Sequence, residues 1–128
     1  MRLLLDTHAF LWWVEGAAKL SRKAKSAIAD PENECLLSLV SCWEMAIKIG
    51  LGKLRLPAAL ERFVPDQLAA NAFRQQDILF RHVARVSSLP FHHRDPFDRL
   101  LVAQAIEEEL AIVSADVVFR KYGVMRVW

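Results

Sequence analysis

Three short apolar runs, each closed or soon followed by an acid, constrain this chain more than any other feature. They are "RLLLD" at 2–6, "ECLLSL" at 34–39 and "AIVSAD" at 111–116. Runs of this length suit buried strands and are too short for ordinary helices. Between them lie segments whose apolar residues recur at helical spacing. "THAFLWWVEG" ends at Gly16, and "SRKAKSAIAD" starts on the N-cap candidate Ser21 and stops before Pro31. "SCWEMAIKIG" closes at Gly50, and its Ser41–Glu44 pair has the pattern of a capping box, which puts Glu44 in the first helical turn. Residues 58–71 read as helix with a break at Pro65, and "AFRQQDILF" offers a third strand. "RHVARVSSL" is a short helix before Pro90, and "PFDRLLVAQAIEEEL" is the long helix. "VVFRKYG" follows the strand "AIVSAD" as a short helix, and "VMRVW" is a last strand. Strands alternating with helices predict an α/β fold, with a mostly parallel sheet covered on both faces.

The 128 residues suffice for one domain spanning 1–128 with a real core, and no repeat, linker or low-complexity tract divides them. Apolar content of 54% with 25% charged residues excludes a disordered chain. A net charge of +2 neither requires nor excludes a nucleic-acid partner, because local patches outweigh the sum. Cys35 and Cys42 form no metal-binding pair, which suits a reduced, cytoplasmic protein better than a disulfide scaffold. The opening "MRLLLDTHAF" is too short an apolar run for a signal sequence or a membrane span.

The acids stand at the junctions. Asp6 closes the first strand, Glu44 lies in the helix after the second, Asp98 opens the long helix, and Asp116 closes "AIVSAD". In an open parallel sheet the carboxyl ends of the strands share one edge, and ligands bind there where strand order reverses. Four acids distant in sequence can therefore meet in one crevice. Each also has a plainer role, since carboxylates cap helix N-termini and complement the helix dipole. Glu44 can pair with Lys48 four residues on. Asp98 resists the plainer role most. It shares a stripe with Leu101, Val102 and Ala105, so its carboxylate leans toward packed apolar surface. Burying an unpaired carboxylate costs several kcal/mol, roughly, or forces it to take up a proton. A shared divalent cation offsets that cost, and carboxylates without His or Cys partners suit Mg²⁺ or Mn²⁺ rather than zinc. Acids around such an ion are common equipment for hydrolysing phosphodiesters.

Four segments together also resemble the PIN-domain ribonucleases, and among them the VapC-type toxins of toxin–antitoxin pairs. They are "LLLDTHAFLWW", "SCWEMAIKIGLGKL", "HRDPFDRLLVAQA" and "IVSAD" with "FRKYGVMRVW" behind it, and residues 55–90 carry no matching motif. The resemblance implies a three-layer α/β/α sandwich with a sheet of about five strands. It implies that Asp6, Glu44, Asp98 and Asp116 form a catalytic quartet that binds Mg²⁺ or Mn²⁺. Thr7 and Ser114 would support them by hydrogen bonding, and Asp95 would cap the long helix. The implied reaction is endonucleolytic cleavage of RNA, in which a metal-activated water attacks phosphorus and leaves a 5′-phosphate and a 3′-hydroxyl. The implied partners are a VapB-type antitoxin, laying a helix and an extended arm over the toxin, and a second copy of the chain.

RNA phosphates need cationic contacts. Arg99, His93 and Arg94 are the leading candidates. Arg74, Arg81, Arg85, His92, Lys48, Lys53 and Arg55 are further ones, and each could equally be a solvated surface charge. Trp12 and Trp13 are adjacent on one short helix and cannot both point inward, so one of them is expected to meet another chain. Two rival classes remain open on the residues alone. A phosphatase of the haloacid-dehalogenase type would need a second aspartate where this chain has His8, and a receiver domain would need a lysine after "AIVSAD", where none stands. A non-catalytic PIN-like binding module would use the same acids only as helix caps.

Overall fold

A computed structural model describes all residues, 1–128. Five strands, β1 (Arg2–Leu5), β2 (Glu34–Ser38), β3 (Arg74–Gln76), β4 (Ala111–Val113) and β5 (Arg126–Val127), form one sheet in the order β3-β2-β1-β4-β5. Every pairing is parallel, so the expectation of a mostly parallel sheet is met in full. The chain builds outward from β1 on one side and then crosses to the other side for β4 and β5. The order therefore reverses at β1, the place where open α/β sheets hold ligands.

Side-chain alternation along the strands divides the core in two. Leu3, Leu5, Cys35, Leu37 and Val113 face a layer made with Phe10, Ala24, Ile28, Phe63 and Val64. These last come from helices α1 (Thr7–Glu15), α2 (Arg22–Ala29) and α4 (Leu60–Asn71). Leu4, Leu36 and Ile112 face the opposite way, onto Leu101, Val102 and Ala105 of α6 (Pro96–Glu108) and onto Phe119. Helix α5 (Phe80–Val86) packs outside α6, and α3 (Leu39–Gly50) lies beside both α1 and α6. The result is the expected α/β/α sandwich. Both cysteines are free, and burial pushes the Cys35 thiol up to about 11, so it is an inert core residue.

Three local expectations are corrected. Helix α3 begins at Leu39 with Ser38 as its N-cap, whose hydroxyl accepts from the Val40 amide. Glu44 therefore sits in the second turn, and Ser41, read as the cap, is buried with an unpartnered hydroxyl. The strand ends one residue before the apolar run does, so the last leucine of "ECLLSL" is already helical. Helix α4 runs through Pro65 without breaking. Pro65 deprives only Glu61 of an amide partner, and that first-turn residue is exposed, so water can serve its carbonyl. Trp12 and Trp13 are both half-buried, and each has a partner within the chain. Trp12 packs beside Trp128, and Trp13 packs beside Phe73 and donates to Asn71 Oδ1 at 3.0 Å. Helix α1 lies in a corner between the sheet and the chain's last residue, so two of its faces find partners.

Candidate active site

The carboxyl ends of the strands place the acids. The Leu5 pairing with both Leu37 and Val113 aligns the three strand ends, so Asp6, Ser38 and Ser114 all emerge at one edge. The Asp6 amide donates to Val113 across the junction at 3.1 Å. Asp6 then caps α1, accepting from the Ala9 amide at 2.8 Å. Asp116 caps the 3₁₀ turn Val117–Tyr122 through the Val118 amide at 2.9 Å. Asp95 caps α6 through the amides of Phe97 and Asp98, at 2.7 and 3.3 Å, as expected from the sequence. Glu44 reaches the same edge from α3, and Asp98 from the first turn of α6.

These side chains line one cavity of about 230 Å³, walled by Asp6, Thr7, His8, Glu44, Lys48, Asp95, Asp98, Asp116 and Phe119. All four acids of the expected quartet are present. A larger hollow of about 500 Å³ lies at the opposite, amino-terminal ends of β2 and β3. It is lined by residues such as Pro31, Asn71 and Arg74, and its only acids are Asp30 and Glu34. The chemistry belongs to the smaller cavity.

Each carboxylate in it has its own electrostatic circumstance. Glu44 is neutralised locally: Thr7 Oγ1 donates to its Oε1 at 2.7 Å, and Lys48 Nζ pairs with its Oε2 at 2.7 Å. Burial raises Asp6 above the usual carboxylate range, while bonds from Ser114 and the Ala9 amide pull the other way. Burial also works to raise Asp116, but bonds from His93 and the Val118 amide, with the charges of His93 and Arg126, outweigh it and leave the group lowered. Asp98 is pushed up to about 7, first by burial, then by the charge of Asp95, with smaller contributions from Glu44 and Asp116; His93 opposes them. No hydrogen bond to its carboxylate offsets that burial.

Five carboxylates facing a single lysine leave an excess of negative charge around a small space. A hard divalent cation fits this donor set, because oxygen ligands are abundant and thiolates are absent. One nitrogen also reaches the site. His93, Asp98 and Asp116 each offer a ligand atom, all lying within 4.8 Å of one another. Asp6 and Glu44 stand outside that tighter group, on the α1 and α3 side of the same cavity.

The expected phosphate contacts fare unevenly. Arg99 is turned inward and buried. It donates to the carbonyls of Pro90, Val86 and Leu89 at 2.9, 3.2 and 3.3 Å, and the Phe91 ring lies over it at 4.2 Å. Its role is to hold the loop before α6, which corrects its reading as a substrate contact. Its position beside Asp98 in sequence was misleading, because consecutive helical residues point about 100° apart. His93 is also buried, spent on Asp116 at 2.8 Å and Tyr122 at 3.0 Å, so its predicted contact is to an acid of the site and not to a free surface. Arg74 pairs with Glu34 at the far end of the sheet, Arg81 with Glu108, and Arg85 with Glu107 at 2.6 Å. Arg94, His92, Lys53 and Arg55 remain exposed, and Lys48 lines the cavity itself. Sequence reading missed His8 and Tyr122. His8 lies on the cavity wall, its ring stacked on Trp12 at 5.4 Å. Its place directly after Asp6-Thr7 was the available signal.

A parallel α/β sheet whose switch point carries clustered carboxylates defines a class of proteins built around an acidic crevice. The sequence pattern of the PIN domain family matches residues 3–125, and the chain belongs to that family. It is 30% identical to ribonuclease VapC22 of Mycobacterium tuberculosis over 117 residues, which is 89% of this chain and 86% of the relative. Among solved structures it is similar to a chain of VapBC2 from Rickettsia felis bound to a DNA fragment from their promoter, with a TM-score of 0.70 and 15% identity over 98% of this chain and 97% of that one. FitAcB from Neisseria gonorrhoeae gives a TM-score of 0.66 and 16% identity over 97% and 95%. Both likenesses bear on the fold.

Proposed function

We propose that this protein is a metal-dependent endoribonuclease, the toxin component of a toxin–antitoxin pair. The observation that carries the reading is Asp98. Its carboxylate is half-buried, held up to about 7 and bonded to no protein donor, and it faces four other acids. Helix capping explains Asp6 and Asp116 but accounts for neither Asp98 nor Glu44. A chain selected only to cap its helices gains nothing from that crowding. The family relationship and the ribonuclease relative support the same reading.

Asp6, Glu44, Asp98 and Asp116 would hold Mg²⁺ or Mn²⁺ across the crevice. When bound, such an ion polarises a phosphoryl oxygen and lowers the pKa of an attacking water. The chain's own groups prepare the place. Thr7 fixes one oxygen of Glu44, and Ser114 supports Asp6 while its hydroxyl also accepts from the Asp116 amide at 3.0 Å. Lys48, half-exposed beside Glu44, offers a cation to an RNA phosphate. Arg94 and His92, on the exposed loop before α6, offer further contacts.

The partners follow the same proposal. A VapB-type antitoxin would restrain the nuclease, and a second copy of the chain would form a homodimer. No helix is long and apolar enough to cross a membrane. We read residues 1–128 as one catalytic unit acting on RNA in the cytoplasm.

Cleavage of total RNA by purified protein with Mg²⁺ or Mn²⁺, beside Asp98→Asn and with EDTA controls, tests the reading. The wild type should cut only with metal, and the folded variant should lose the activity by about 100-fold or more, the scale of a lost charge-stabilising contact. Equal cleavage by both proteins would return Asp98 to a structural role. It would favour the alternative, a binding module whose acids serve the helices.

A further inference from the structure

We propose that Tyr122 and His93 are positioning residues that set the orientation of the Asp116 carboxylate for cation binding. The proposal rests on the reading of the crevice as a cation site. Asp116 opens the 3₁₀ turn Val117–Tyr122 and Tyr122 ends it, and the His93 imidazole reaches both from the loop before α6.

Beside an ionised aspartate the hydrogen on His93 Nε2 is fixed in either charge state of the ring, and the neutral ring leaves one arrangement for the remaining hydrogens. The His93 backbone amide can only donate, so Tyr122 Oη accepts from it, at 2.8 Å. An ionised aspartate can only accept, so His93 Nε2 carries the hydrogen that lies toward Asp116 Oδ2, at 2.8 Å. The Nδ1 atom is then bare, and it takes the Tyr122 hydroxyl hydrogen across 3.0 Å. The hydroxyl thereby stabilises the tautomer that points N–H at the acid, much as an outer partner orients a metal-binding histidine.

Packing holds the ring in that plane. Tyr122 stacks parallel to the imidazole, 5.5 Å away at 2°, and Phe119 lies against it at 4.9 Å. Asp116 Oδ1 is meanwhile held by the Val118 amide at 2.9 Å. Both carboxylate oxygens are thus fixed, and the remaining lone pairs stay free for a cation beside Asp98. A histidine kept only for packing would not need its polar edge on an acid of the crevice.

The test uses the full chain and Mn²⁺ alone. Calorimetry measures its affinity, and nitrogen NMR of the histidine rings reports the tautomer without metal. In the wild type His93 should be the Nε2–H form. Tyr122→Phe keeps the ring stack and removes one oxygen, so the tautomer preference should fade and Mn²⁺ affinity should fall by about 10–100-fold. His93→Gln retains an N–H donor and should bind better than His93→Ala. If His93→Ala fails to fold, Tyr122→Phe decides the matter. Wild-type Mn²⁺ affinity in folded Tyr122→Phe would overturn the proposal, as would pulsed EPR showing a nitrogen bound directly to Mn²⁺. Those results would leave the cation site standing. A wild-type protein that binds no Mn²⁺ would remove the cation site and this role with it.

Discussion

Asp98 carries the heaviest electrostatic load in the crevice, and its titration gives a sign that can be checked. Its folded value, about 7, lies above its ordinary 3.8. The folded protein therefore holds a proton there that the unfolded chain has already released. That stabilising contribution is complete below 3.8 and is lost as pH rises through about 7. Without metal, the wild type should melt at progressively lower temperature across that interval, and Asp98→Asn should show a flatter profile. Mn²⁺ should raise the melting temperature of the wild type most where Asp98 is ionised, because bound ligand stabilises the folded state. A metal-free melting curve indifferent to Asp98→Asn would contradict the burial of this group. Asp98 is also the acid whose unusual position could be read before folding, from the apolar stripe of Leu101, Val102 and Ala105, all buried on α6. Arg99 next to it could not be read, because its partners are backbone carbonyls, which every residue carries.

At the scale of elements, two joints set the site's geometry. Ser38 Oγ caps α3 through Val40 and meets Gln104 Oε1 of α6 at 2.5 Å, with both residues fully buried. This joint ties the helix carrying Glu44 to the helix carrying Asp98. Ser38→Ala should cost about 2–3 kcal/mol, the sum of a lost cap and a stranded amide oxygen. Urea denaturation should show a lower midpoint with an unchanged slope. The second joint is Arg99, which gathers three carbonyls at the end of α5 and in the loop bearing His93. A lysine lacks the planar fork, so Arg99→Lys should destabilise nearly as much as Arg99→Met, by about 2–4 kcal/mol. Full stability in Arg99→Lys would mean a point charge suffices there. Helix α3 shows why one boundary was misread. Ser38 and Ser41 are both plausible caps, and only the place where β2 stops pairing decides between them.

At the scale of the whole molecule, α3 and its C-cap expose a stripe at i, i+4, i+8: Trp43, Ile47 and the capping Leu51, at 51%, 39% and 64% exposure. Phe97 extends it, its ring meeting Trp43 edge-on at 4.9 Å. A helix stripe can pair with its own copy across a twofold axis, which suits the proposed homodimer. Ile47→Glu would place like charges against each other there. Sedimentation should then show a shift from dimer toward monomer, with the melting temperature of the monomer little changed. A wild type that sediments as a monomer without antitoxin would remove the homodimer.

Strand identity, the helices on either face and the four junction acids were legible in the sequence alone. Each depends on local chemistry: apolar run length, periodicity, and an acid where a buried run stops. Asp6, Glu44, Asp98 and Asp116 could be singled out because a carboxylate at the edge of buried surface is costly wherever the chain then goes. Tertiary structure alone decided which partners those acids and the cations found. His93 faces Asp116 and Tyr122, Arg99 turns inward, Arg81 and Arg85 are taken by acids of α6, and Trp12 meets Trp128. Such pairings join residues far apart in the chain, and side-chain direction and strand order set them. A single sequence states neither, because both arise only when the sheet closes around β1.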